Sequence, residues 1–198
     1  MATKSITKLY NIFVDTGVFI DRLRVDLTTA SPDVEKRINQ TNMFFDLIDE
    51  IQHKITFQTT SINVAELFHC GNKHKETASA LVSVCGATDL EIIAFDADAA
   101  AYHNSWLERY LGNTTIKELK ASVNYPTGGN LANVEDRIRK DMLICSVAKM
   151  YKADIVLTND SGFATLCNKI ELPVHCFTGD PADFTTSHDG KKIYDFAK

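Results

Sequence analysis

Tyr10-Asn-Ile-Phe-Val-Asp15-Thr-Gly17 is the stretch that decides how this chain folds. Three consecutive apolar residues end on an acid, and a Thr-Gly pair follows. That order reads as a buried strand over 10–15, a turn, and a short helix over 18–23. The same alternation recurs outward along the chain. Strands are expected at 55–58, 90–95, 153–158 and 172–177. Helices are expected at 34–53, from Ser61 onward, at about 75–86, from the caps Asp96 and Asp98 to Leu111, at 133–150 and at 162–169. Strands alternating with helices predict a three-layer α/β/α sandwich around a central parallel sheet of about five strands.

Residues 1–198 read as one domain, with two stretches that interrupt the alternation. Residues 24–37 open on a polar run and continue through Ser31-Pro32-Asp33. Residues 112–133 place Gly112-Asn-Thr-Thr115 and Tyr125-Pro-Thr-Gly-Gly-Asn130 around a short segment at 116–123. Both read as insertions, the second as a loop. From about residue 179 the tail is polar.

The chain is 44% hydrophobic and 24% charged, which suits an ordinary globular core. A net charge of -5 gives no general attraction to nucleic acid. Neutralising four carboxylates in one site would bring the balance close to zero, so a local basic surface would then decide binding. Cys70, Cys85, Cys145, Cys167 and Cys176 are odd in number, lack CxxC spacing and lie among apolar neighbours. They read as buried reduced thiols. The first residues lack the apolar core of a signal peptide, and no run reaches transmembrane length. The expectation is a cytoplasmic protein without membrane partners.

Four acids stand where a parallel sheet would gather them. Asp15 ends the first strand. Glu66 lies one turn into the helix that opens at Ser61. Asp141 precedes Met-Leu-Ile-Cys-Ser-Val-Ala within the 133–150 helix, and Asp160 follows Ile155-Val-Leu-Thr-Asn. In an open α/β sheet the carboxyl ends of the strands form one rim, where ligands bind. Right-handed crossovers bring the packed start of the 133–150 helix to that rim too. Each acid taken alone reads equally well as a helix cap or a solvated charge. Together they repel one another unless a cation neutralises them, and hard oxygen ligands suit Mg²⁺ or Mn²⁺.

The quartet Phe13-Val-Asp15-Thr16-Gly, Ser61-x-x-x-x-Glu66, Asp141-x-x-Ile-x-x-x-Ala and Leu157-Thr158-Asn159-Asp160-x-x-Phe163 resembles the PIN-domain ribonucleases. That family includes the VapC-like toxins of toxin–antitoxin pairs. The resemblance spans roughly 10–178. It implies a Mg²⁺- or Mn²⁺-dependent endoribonuclease with Asp15, Glu66, Asp141 and Asp160 as catalytic metal ligands. Thr16, Ser61, Thr158 and Asn159 would orient those carboxylates. It also implies RNA as substrate, with an antitoxin protein and a second copy of the chain as candidate partners. Gly17 departs from the pattern, standing where that family commonly carries Asn or Ser.

Arg137, Arg139 and Lys140, just before Asp141, and Lys117 with Lys120 are candidate RNA contacts. A solvated helix face explains them equally well. Asp136 is a rival to Asp141, but its neighbours Glu135, Arg137 and Arg139 favour a solvated position. The other readings are a catalytically weak PIN-fold RNA-binding or regulatory protein, and a phosphatase of haloacid-dehalogenase type. The latter needs a second Asp two residues after Asp15, where this chain has Gly17.

Overall fold

A computed structural model describes residues 10–24, 30–49, 55–69, 79, 90–123 and 131–178. Their order is β1 (Tyr10–Val14), α1 (Thr16–Arg22), α2 (Pro32–Asp49), β2 (Ile55–Thr60), α3 (Ser61–His69), β3 (Leu90–Ile93), α4 (Ala97–Leu111), α5 (Ile116–Ser122), α6 (Leu131–Met150), β4 (Ile155–Thr158), α7 (Ser161–Lys169) and β5 (Val174–Cys176). The strands form one sheet in the order β3-β2-β1-β4-β5, every neighbouring pair parallel. Helices cover both faces, giving the three-layer α/β/α sandwich expected from the sequence.

Side chains alternate across the sheet, so each central strand feeds two cores. Ile12 and Val14 of β1, with Ile155 and Leu157 of β4, pack with Val18, Phe19, Phe44 and Leu67 from α1, α2 and α3. Phe13 and Val156 point the other way, toward Trp106, Leu119, Ile138, Cys145, Phe163 and Cys167 of α4 to α7. Trp106 is therefore a core residue. Cys145 and Cys167 are buried thiols with sulfurs 3.7 Å apart, and neither they nor Cys176 form a disulfide.

The 112–133 stretch differs from the loop expected of it. Thr115 accepts from the Glu118 backbone N–H while the Glu118 carboxylate accepts from the Thr115 backbone N–H, a reciprocal cap that starts α5. Leu119 and Val123 then bury in the core shared with α6. In the other interrupted stretch, Pro32 opens α2, so residues 32–37 are helical. The helix expected at 75–86, Cys70, Cys85, residues 124–130 and the tail from 179 lie outside the described residues, residue 79 excepted. Among the described residues no helix is long and apolar enough to cross a membrane.

Candidate metal centre

The strand order reverses between β1 and β4: the chain runs outward from β1 to β2 and β3, then returns to lay β4 on the other side of β1. At such a reversal the two following connections leave toward opposite faces and open a crevice at the carboxyl ends. Val14 pairs with Leu157 at that edge. The next residues are Asp15 on one strand, and Thr158, Asn159 and Asp160 on the other.

Asp15 is buried and caps α1, Oδ1 accepting from the Thr16 backbone N–H at 2.8 Å. The same oxygen accepts from Asn63 Nδ2 at 3.1 Å, and Oδ2 accepts from Thr158 Oγ1 at 2.7 Å. Burial nonetheless wins over these donors. It pushes the Asp15 carboxyl from 3.8 up to about 7, helped by the nearby negative charges of Asp160 and Glu66 and opposed by the bonds from Thr158 and Thr16.

Thr16 links Asp15 to Glu66. Its hydroxyl accepts from Asn63 Nδ2 at 2.9 Å and donates to Glu66 Oε2 at 3.1 Å. Thr158 links Asp15 to Asp160, donating to the first while accepting from the Asp160 backbone N–H at 3.0 Å. Asp160 caps α7, its Oδ1 accepting from the backbone N–H groups of Gly162 at 2.8 Å and Phe163 at 3.2 Å. Asp141 is buried in mid-α6, where near-continuous burial begins and runs through Ala148. Its charge and that of Asp15 both help, behind burial and the Cys167 contact, to push the Cys145 thiol up. Asp136, by contrast, is exposed and pairs with Arg139 on α6's own surface.

Donor chemistry in this crevice suits a hard divalent cation: the carboxylates of Asp15, Glu66 and Asp160 are joined through Thr16 and Thr158, and Asp15 is buried with its carboxyl raised toward neutrality. Yet among the described residues no three acidic, His or Cys side chains converge tightly enough to hold an ion as they stand. Two of the carboxylates are met by cations instead. Arg137 pairs with Asp160 Oδ2, and Lys140 Nζ lies 3.7 Å from Glu66 Oε1. Arg139 pairs with Glu135 and Asp136 rather than with the crevice. Lys117 is exposed and Lys120 half-buried on α5, which packs against α6.

Ser61 stands elsewhere, its hydroxyl accepting from the Phe95 backbone N–H at 3.2 Å beyond the end of β3. Asn63 is the amide at the heart of the site, and sequence reasoning missed it. An Asn in the first turn of a helix reads as an ordinary cap-region residue, so no local signal separates it. Asp21 and Arg37 were missed too. Asp21 is buried and takes Arg37 in two bonds, from Nε at 2.7 Å and Nη2 at 3.0 Å, while Asn159 Nδ2 donates to Asp21 Oδ2 at 2.7 Å. An acid inside Val18-Phe-Ile-Asp21 was the available signal.

No family model and no curated protein matches the sequence. Among solved structures, the chain is similar to one from the VapBC2 complex of Rickettsia felis bound to a DNA fragment from its promoter. The identity is 17% and the TM-score 0.48, covering 84% of this chain and 98% of that one. It is also similar to one from the DNA-bound VapBC of Salmonella typhimurium. There the identity is 16% and the TM-score 0.38, covering 85% of this chain and 99% of that one.

Proposed function

We propose that this protein is a divalent-metal-dependent endoribonuclease of PIN type. One observation carries the reading: Asp15 is buried at the β1/β4 reversal, with its oxygens held by Thr16, Asn63 and Thr158 and its carboxyl raised toward neutrality. Burying a carboxylate beside two others costs the fold free energy, and a bound cation would offset that cost. Asp15, Glu66, Asp141 and Asp160 would hold Mg²⁺ or Mn²⁺. Such an ion supplies charge stabilisation to the attacking and leaving oxygens of a phosphodiester. Thr16 and Thr158 fix the rotation of the carboxylates, and Asn63 locks Thr16 and Asp15 together. In this reading the protein is the toxin of a toxin–antitoxin pair, with an antitoxin as its protein partner.

Labelled RNA incubated with Mg²⁺ or Mn²⁺ tests the activity, beside EDTA and an Asp15→Asn control. Metal-dependent cleavage abolished by both controls is expected. Cleavage that survives Asp15→Asn would sink the assignment. For the toxin role, a small DNA-binding antitoxin encoded directly upstream is expected, and an unrelated neighbour would count against it.

A second reading, a catalytically weak RNA-binding protein of the same fold, is favoured by the pairing of Asp160 and Glu66 with Arg137 and Lys140. RNA binding without metal-dependent cleavage would select it.

A further inference from the structure

Arg137 and Lys140 lie three residues apart on α6, so their side chains leave one helix face. Both reach onto acids of the candidate site. The oxygens they meet are the ones left over. Asp160 Oδ1 is taken by the α7 backbone and Glu66 Oε2 by Thr16, which leaves Asp160 Oδ2 for Arg137 and Glu66 Oε1 for Lys140. Those two oxygens are the ones still open to a metal ion. Arg139, between them in sequence, turns to Glu135 and Asp136 and marks the ordinary surface behaviour of this helix.

Taking the metal-site reading as its basis, the geometry points to Arg137 and Lys140 as internal counter-ions that compete with a divalent cation for Asp160 and Glu66. Metal loading requires their release. Their exposure makes release cheap: the Arg137 and Lys140 side chains are 49% and 53% exposed. Pairs so open to water are weak, so they defer binding without preventing it.

Mn²⁺ binding to the full-length chain, followed by isothermal titration calorimetry at fixed pH and salt, tests this without reference to cleavage. Arg137→Gln and Lys140→Gln are each expected to lower the apparent Kd about two- to five-fold, the range of a weak ion pair. Arg137→Lys, which keeps the charge, is expected to stay near the unaltered protein. Arg139→Gln removes the same charge from the same helix and is expected to leave the Kd unchanged. If the unaltered protein binds Mn²⁺ and Arg137→Gln binds it equally or more weakly, the counter-ion role is overturned while the metal site stands. Equal tightening by Arg139→Gln also overturns it, since general charge would then suffice. Absence of Mn²⁺ binding in every variant overturns the counter-ion role and the metal site together.

Discussion

At the scale of single residues, Asp15 carries a pH dependence of its own. Its carboxyl titrates near 7 in the folded protein against 3.8 for an ordinary side chain, with burial as the main cause. Between those values the folded state holds a proton that the unfolded state has lost, so this group's contribution to stability falls as pH rises from about 4 to about 7. Below 4 both states are protonated and above 7 neither is. The full shift corresponds to on the order of 4 kcal/mol, an upper bound. In metal-free buffer, Asp15→Asn is therefore expected to match the unaltered protein at pH 4 and to exceed it by about 1–3 kcal/mol at pH 8. Urea unfolding at the two pH values checks this. A variant less stable than the parent at pH 8 would mean that the Asp15 bonds outweigh its burial. Asp15 itself was legible, as an acid closing an apolar run. Asn63 was not, because its value lies in an amide facing two partners that come from 48 and 47 residues away.

At the scale of elements, the reading of the sequence was strongest where hydrophobic period and strand ends coincide. β1, β4, α6 and α7 arrive close to where Ile12-Phe-Val, Ile155-Val-Leu and their caps placed them. α5 was hidden by the Gly112 and Asn-Thr-Thr that precede it, although Thr115-Ile-Lys-Glu118 carries the capping-box spacing. Gly17 shows what no single element reveals. A Cβ there would stand 2.0 Å from Asn159 Oδ1 and 2.9 Å from its Nδ2, so the start of α1 and the turn after β4 fit only because residue 17 has no side chain. Asn159 cannot swing away freely, since Asp21 holds its amide. Gly17 and Asn159 are thus matched to each other. Gly17→Ala is expected to cost about 1–3 kcal/mol in the parent and clearly less in an Asn159→Ala background. A double-mutant cycle by thermal or urea unfolding measures the coupling; strictly additive effects would deny the contact its role.

At the scale of the whole molecule, the order β3-β2-β1-β4-β5 sets Asp15 and Asp160, far apart in sequence, at one edge of the sheet, where Thr16 ties Glu66 to Asp15. The reversal falls between β1 and β4, the two strands whose ends carry Asp15 and Asp160, and the acids come from both layers. Glu66 rides on α3, which contributes Leu67 to the core on one face; Asp141 rides on α6, packed on the other. A cation bound there would tie β1, α3, α6 and the turn after β4 together, and so would stabilise the fold as a unit. At ten times its Kd a ligand specific for the folded state contributes about 1.4 kcal/mol, or roughly 3–6 °C in Tm for a chain of this size. Mn²⁺ is therefore expected to raise the Tm at pH 8 by that amount and to do so much less at pH 6. At pH 6 Asp15 is mostly protonated, and metal must displace that proton to bind. Asp15→Asn, which has no proton to lose and no charge to offer, is expected to show little Mn²⁺ shift at either pH. Differential scanning fluorimetry of both proteins at the two pH values decides the matter. A Mn²⁺ shift that is equal at pH 6 and pH 8, or that persists in Asp15→Asn, would place the ion away from the β1/β4 crevice.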